Sequence, residues 1–454
     1  MRASRTSGCW LAYILCLAFA LVPSLPIAAA PSVAALPTLA IDEGGVFTPL
    51  LLDTYVTDPE FTDAELVWRV VESENLLVSV VDGTAYFAAP HTDWYGSDTV
   101  LLEACNPAGE CTTCEIELEV VPINDPPNLS LPAQIATELG QPFSPFMLED
   151  FVTDIDDTAA SLQWSVDGEL NLKTEIRDGV LSIQSPDTEW VGAEDLTISV
   201  CDPSGACATG ITQFVVADED ALTIRLINNA GFQLRWGDFS VMIDAVYRDP
   251  AYRFPEILSA KPPFDADVLL FTHSHPDHFD PDIVAQYMRA SPETLLIAPI
   301  DAIDRVLQLD PTLEDRATGI ELERDSSLSL ERHGIPITLY DIPHGGTPNI
   351  SYLVKLGEHT IFHSGDVVWS RDGLRRLFEI YGLADEDVSV ALLVPWFFSS
   401  DESRELMRTN VNADIYIPIH VKPGSFSYYH GLAAEANDIL VIDELLESWV
   451  IPGE

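Results

Sequence analysis

Trp68, Trp94 and Cys105 recur 96 residues further on as Trp164, Trp190 and Cys201. Val56-Thr57-Asp58 recurs at the same offset as Val152-Thr153-Asp154, and Asp82-Gly83 as Asp178-Gly179. Several rare residues hold one register without a gap, so residues 36–124 and 130–217 are two copies of one small domain. A chain of 454 residues has a length prior of about three domains, which leaves the stretch 222–454 for a third.

Each copy is rich in short β-type runs. Leu66 to Val71, Leu76 to Val81 and the alternating Glu115 to Val120 are separated by turn residues, a pattern expected of a β-sandwich. The loops Cys105-Asn-Pro-Ala-Gly-Glu-Cys111 and Cys201-Asp-Pro-Ser-Gly-Ala-Cys207 match. Pro and Gly make a tight turn that brings the flanking strands together, and cysteines facing across such a turn can bridge. Disulfides Cys105–Cys111 and Cys201–Cys207 are therefore expected. Two thiolates per loop leave a zinc sphere incomplete. Cys114 has no counterpart in the second copy; it is either a free thiol or a competitor for Cys105 or Cys111.

Val-Thr-Asp near the start of each copy, Trp94-Tyr95-Gly96 and Trp190-Val191-Gly192 in the middle, and the linker Ile123-Asn124-Asp125-Pro126-Pro127 resemble the cadherin-like and immunoglobulin-like repeats of bacterial surface proteins. The resemblance implies two all-β sandwich domains acting as spacers or as binders of a cell surface, a partner or a glycan. It also implies calcium near the junctions. Asp58, Glu60, Asp125, Asp154, Asp156 and Asp157 offer the hard oxygen ligands that calcium takes, although no complete calcium loop is present. Solvated acidic loops are the default reading of these residues, with calcium as the alternative.

Residues 1–30 read as a secretory signal peptide. Arg2 and Arg5 give a positive start, Trp10 to Val22 is apolar but short for a bilayer span, and Ala28-Ala29-Ala30 offers a cleavage region. A secreted or periplasmic location is expected, and it permits disulfides. The net charge is −51, from 73 acidic and 22 basic residues. That balance excludes a nucleic-acid groove and disfavours anionic membrane surfaces. Abundant acid with only Lys173, Lys261, Lys355 and Lys422 as lysines suits work in high salt, where screening removes self-repulsion, or simply a soluble acidic exported chain.

After Ala217-Asp218-Glu219-Asp220 strands alternate with helices. Thr223 to Asp244 reads as a meander, and the apolar run Asp267 to Thr272 as a buried strand. That run ends in His273-Ser274-His275-Pro276-Asp277-His278. Imidazole and carboxylate at such close spacing are what Zn²⁺, Mn²⁺ or Fe²⁺ ligate. Asp280-Pro281 then caps a helix. Further candidate ligands follow other apolar runs: His344, Asp366 within Ser364-Gly365-Asp366, and His420. In α/β folds functional groups gather outside the carboxyl ends of strands, so these sites can converge.

Thr272 to His278, His344, Ser364-Gly365-Asp366 and Pro418-Ile419-His420, in that order, closely resemble the metallo-β-lactamase-fold superfamily. The branch looks most similar to its ascorbate phosphate lactonase-like and N-acyl phosphatidylethanolamine phospholipase D-like members. The resemblance implies an αββα sandwich over 222–454 with two divalent metals, Zn first, with Mn or Fe as alternatives. His273, His275 and His344 would hold one metal. Asp277, His278 and His420 would hold the other, and Asp366 would bridge. Asp244 would orient a ligand histidine, and Asp277 would steer the nucleophile or take its proton. Several relatives carry His where this chain has Asn229.

Such a pair of metals shares a hydroxide that attacks an ester, lactone, amide or phosphodiester bond of a small-molecule or lipid-like substrate. A second reading is a cell-surface binding or adhesion protein with a non-hydrolytic metal domain. A third is a di-iron enzyme on the same fold. His333 and His359 are expected at the surface and His363 packed inside. Pro395-Trp396-Phe397-Phe398 is expected either in the core or as a pocket wall, and Tyr428, Tyr429 and His430 are candidates to cap the site. Lys422 and Arg371 are solvated charge by default.

Overall fold

The computed structural model describes residues 29–453. The expected leader falls almost wholly outside the described residues. Contacts divide the chain into two units, one ending at Asp125 and the other beginning at Pro126.

In the first repeat Leu39–Asp42, Cys111–Val121, Gly96–Cys105 and Val67–Glu72 form one sheet in that order, and Leu50–Leu51, Thr84–Ala88 and Leu77–Val81 form another. Alternation makes the sandwich: Val100, Leu102 and Ala104 of Gly96–Cys105 are fully buried, as are Ile116, Leu118 and Val120 of the strand paired with it. The hairpin between the last two strands of the smaller sheet turns at Asp82-Gly83, with φ of 45° and 69°. Two positive φ values define the turn whose twist suits a hairpin, and Asp-Gly is the pair that adopts it. The second repeat repeats all of this, down to Asp178-Gly179 at 50° and 75°.

Disulfides Cys105–Cys111 and Cys201–Cys207 join partners that face each other in register, and Cys114 is a free thiol. One shared device was missed in the sequence, although its acidic side chains lie 96 residues apart. Asp98 accepts from the backbone N–H groups of Glu74, Asn75 and Leu76 and from Ser73 Oγ, at 2.9–3.4 Å. Glu194 accepts from the N–H groups of Leu170, Asn171 and Leu172 at 2.6–3.1 Å. Burial opposes charge on each carboxylate, but these donors more than offset it, and both pKa values are lowered.

From Leu222 onward two sheets stack. The first runs Ala317–Ile320, Leu295–Pro299, Val268–Leu270, Phe239–Ile243, Gly231–Trp236, Leu222–Asn228, Ser448–Ile451. The second runs Ser327–Arg332, Ile335–Asp341, Ile350–Leu356, His359–His363, Val388–Leu393, Ala413–Pro418. Strands buried on both faces explain the apolar runs. Met242, Leu269 and Leu296 pack on Pro281–Ala290 and Ile300–Leu309, whereas Val241, Ile243, Val268 and Ile297 join the core shared with the second sheet. Helices Arg371–Tyr381, Asp401–Asn410 and Phe426–Glu435 supply Leu374, Phe378, Leu406, Met407 and Tyr429 to the same core. The result is an αββα sandwich following an all-β region.

Asp280 caps Pro281–Ala290 through the N–H groups of Asp282 and Ile283. Phe397 and Phe398 are fully buried, so Pro395–Phe398 packs in the core. His333 is exposed and His363 buried, but His359 is not at the surface. It begins an interior strand, is 5% exposed, and its Nε2–H donates to the Asp220 carbonyl at 3.0 Å. Tyr429 packs against Phe398, and Tyr428 donates to the Phe398 carbonyl. His430 pairs with Asp443 and Arg371 with Glu402. The second repeat is tied to this sandwich by Gln134, whose side-chain amide exchanges hydrogen bonds of 2.7 and 2.8 Å with the backbone of Val450. Among the described residues no helix is long and apolar enough to cross a membrane.

Candidate metal centre

Each candidate ligand stands just beyond a strand. Asp244 follows Phe239–Ile243, the His273–His278 loop follows Val268–Leu270, and these strands run parallel. Asp366 follows His359–His363 and His420 follows Ala413–Pro418, in the parallel part of the second sheet. Parallel strands place these ends on one edge of the sandwich. Asp244 and His420 both take positive φ, 48° and 57°, conformations that L-residues hold only under tertiary constraint. Gly365 is at +59°, and a Cβ there would come within 2.5 Å of Asn349 Oδ1. Only glycine lets the turn carry Asp366 so close to its neighbours.

The structure brings all seven expected ligands together. Asp366 Oδ2 lies 3.9 Å from Nε2 of His273, 3.7 Å from that of His278, and 3.9 Å from those of His344 and His420. Donor atoms lie within 4.8 Å of one another in each of three groups: His273, His275 and His344; Asp277, His278 and His420; and His273, His278 and Asp366. The first two groups have the membership expected for two metals, and Asp366 stands between them.

Hydrogen bonds fix which ring nitrogens face inward. Thr272 Oγ1 donates to Asp244 Oδ2 at 2.6 Å, so it can only accept from His273 Nδ1, 2.9 Å away. His278 Nδ1 donates to the same Asp244 oxygen at 2.8 Å. Both rings therefore present a bare Nε2. Among the described residues, those two nitrogens, His344 Nδ1 and Asp366 Oδ1 are buried without a hydrogen-bond partner. Buried polar atoms left open are costly unless something binds them. Imidazole nitrogens and carboxylates in this arrangement fit a pair of divalent cations.

Electrostatics favour neutral rings at His273 and His344, whereas Asp244 raises His278 against the effect of burial. Burial, assisted by the neighbouring His278, pushes His273 down to about 4, so its ring is neutral. Burial also lowers His344. Burial disfavours charge on Asp244, but the facing His278 more than compensates and its carboxyl is lowered.

Three residues support the ligands; Thr272 opens the ligand motif and His363 is expected inside, but neither role, nor Thr347 at all, is singled out by the sequence. Thr272 fixes the His273 tautomer. Thr347 Oγ1 lies 3.2 Å from His275 Nε2. His363 donates from Nε2 to the Ala230 carbonyl and accepts the Gly365 N–H at Nδ1, at 3.1 and 3.0 Å. It thus braces the Asp366 turn against the loop whose Asn229 carbonyl accepts the His420 N–H at 3.1 Å. The adjacency of Thr272 and His363 to ligands was a usable signal. Thr347, far from any motif residue except His344, gave little. Two cavities flank the centre. One, of about 540 Å³, includes Asn229, Tyr247, Arg248 and Asp277. The other, of about 410 Å³, includes Asn229, Phe232, Pro418 and Phe426.

The repeats carry their own polar clusters. Asp154, Asp157 and Asp202 meet with donor atoms within 4.8 Å; Asp202 was not among the residues expected there. In the first repeat the position of Asp202 is Asn106, whose amide donates to Asp58 Oδ2 at 3.0 Å.

Residues 240–386 match the family model described as Beta-lactamase superfamily domain. No curated protein matches the chain. Among solved structures, similarity extends to the metallo-β-lactamase fold protein YhfI from Bacillus subtilis, at 13% identity, covering 51% of this chain and 99% of that one, with a TM-score of 0.38. It extends to Igni18, a metallo hydrolase from the archaeon Ignicoccus hospitalis, at 16% identity, 52% and 100% coverage and a TM-score of 0.37. The first two domains of human mucin-like protocadherin are similar at 13% identity, 41% and 98% coverage and a TM-score of 0.29.

Proposed function

We propose that this chain, whose residues 240–386 match the Beta-lactamase superfamily domain, is an exported two-metal hydrolase built on the metallo-β-lactamase fold. Its bond would be an ester, lactone, amide or phosphodiester in a small-molecule or lipid-like substrate, with the β-repeats as spacers or surface binders. The observation that carries the reading is that the buried Nε2 atoms of His273 and His278, unpartnered among the described residues, lie 3.9 and 3.7 Å from Asp366 Oδ2.

His273, His275 and His344 would hold one cation, Asp277, His278 and His420 the other, and Asp366 would touch both. When bound, such a pair supplies Lewis acidity: it brings the pKa of an attacking water to about 7 and stabilises charge on the reacting oxygen. The remaining work belongs to side chains. Asp244 keeps the proton of His278 on Nδ1 and so keeps Nε2 bare. Asp277 is half-exposed, with Oδ2 3.3 Å from His420 Nε2, and can take or return a proton at the cavity mouth. Phe232, Pro418 and Phe426 would hold an apolar part of the substrate and exclude water.

Zinc is the first choice among the metals, with manganese and iron as alternatives. Calcium would suit the second repeat at Asp154, Asp157 and Asp202. The test of the enzyme reading is turnover of a panel of phosphodiesters and lactones by the metal-loaded chain, with Asp366→Asn as control. Hydrolysis of one class, lost in the control, supports it. A metal-loaded chain inert across the panel favours the alternative, a surface-binding protein.

A further inference from the structure

Among the described residues the smaller sheet of each repeat ends on an open edge strand, Leu77–Val81 in the first and Lys173–Arg177 in the second. The strands are equivalent in register and alternate exposed and half-buried residues in the same way. Their outward residues differ completely. Leu77, Ser79 and Val81 of the first stand where the second has Lys173, Glu175 and Arg177. On the neighbouring strand Tyr86 and Ala88 stand where the second repeat has Ser182 and Gln184. Leu77 is 62% exposed and Val81 55%.

An open edge offers unpaired N–H and C=O groups to any other strand, and charged side chains, lysine above all, are a common way to blunt it. The second repeat is blunted in this way, with Arg177 and Glu175 joined at 2.7 Å. The first is not. From Asn75 to Val81 it carries neither an ionisable group nor a proline.

We propose that Leu77–Val81 is a self-association edge that pairs antiparallel with the same strand of a second copy, joining two three-stranded sheets into one of six. The strand's own pattern selects a second copy, and charge selects where the two meet. Copies of a chain with net charge −51 repel, so they meet most cheaply where neither presents a charge. The strand is also self-complementary. With Ser79 opposite Ser79 on the two-fold axis, Leu77 faces Val81 of the other copy, an apolar cross-strand pair. Asp82 then faces Leu76 rather than another acid. An interface of one short strand per copy is far smaller than a standard one of about 20–30 residues a side. The dimer is therefore weak, concentration-dependent, and strengthened by salt that screens the remaining repulsion.

Sedimentation of the full chain from micromolar to near-millimolar concentration, at about 0.15 M and 1 M salt, tests this. A reversible monomer–dimer equilibrium that tightens several-fold in the higher salt is expected. The double variant Leu77→Lys with Val81→Arg, which copies the second repeat at exposed positions, should be monomeric throughout with unchanged circular dichroism and melting. Lys173→Leu with Arg177→Val should add association. A wild type that is monomeric under all conditions would overturn the proposal. So would a double variant that dimerises as tightly as wild type, because the contact would then lie elsewhere.

Discussion

In the repeats, buried carboxylates sit in cradles of donors: Asp98 and Glu194 each receive three backbone N–H bonds. In the C-terminal sandwich the situation is reversed: His273 and His278 crowd around Asp366, and no described residue satisfies their inward Nε2 atoms. The first arrangement stabilises the fold. The second works against it in the absence of a ligand and so belongs to function. If that contrast holds, substitutions in the two regions should separate stability from activity.

The largest effect is expected at Asp366. Asp366→Ala should abolish turnover and bridged metal binding, while the melting temperature of the metal-free protein stays level or rises. A large loss of metal-free stability would break the contrast. Asp244→Asn should be milder, lowering metal affinity or activity by about 10–100-fold, the usual consequence of losing a carboxylate that orients a ligand histidine. Metal titration reads it directly.

Asp98→Ala should do the reverse. It leaves three backbone N–H groups without their acceptor and should cost about 2–4 kcal/mol of stability in denaturant unfolding, with metal binding untouched. Glu194→Ala should behave likewise. pH sharpens the same point. A lowered carboxyl pKa contributes stability above the ordinary carboxylate range that is lost as pH falls through the folded value, so the repeats should weaken only in strong acid. In the metal-free sandwich His273 is pushed down to about 4 from an ordinary 6.5, with His344 and His363 also lowered. Their unfolded forms take up protons first, so stability should fall as pH drops from about 6.5 towards 4. His278, raised by Asp244 against the effect of burial, opposes part of this. Thermal melts across that range should show the sandwich weakening before the repeats.

The smallest effect concerns the repeats alone. If Asp154, Asp157 and Asp202 bind calcium with the affinity of extracellular modules, about 10 mM calcium should stabilise the second repeat by about 1–3 kcal/mol. Asp202→Asn, which copies Asn106, should remove the response. Calcium-insensitive melting would leave these acids as solvated loops.

Much of this was legible in the sequence because it was local or periodic. The 96-residue register exposes the repeats, and the His273–His278 spacing with candidate ligands after apolar runs points to the residues that the fold gathers. Asp202 was passed over because its partners lie some fifty residues away, and only the folded loop brings them together. Asp98 and Glu194 were missed for a different reason: each looks like ordinary surface acid until its facing loop is in place. His359 was misjudged because its turn-like surroundings hide that it opens an interior strand and bonds the Asp220 carbonyl.

The central claim is most directly tested by metal stoichiometry after reconstitution, measured by elemental analysis of the full chain. Two divalent ions per chain are expected, falling to about one in His420→Ala and to none in a combined His273→Ala and Asp366→Ala variant. A chain that retains no metal, or one whose metal content ignores all of these substitutions, would contradict it.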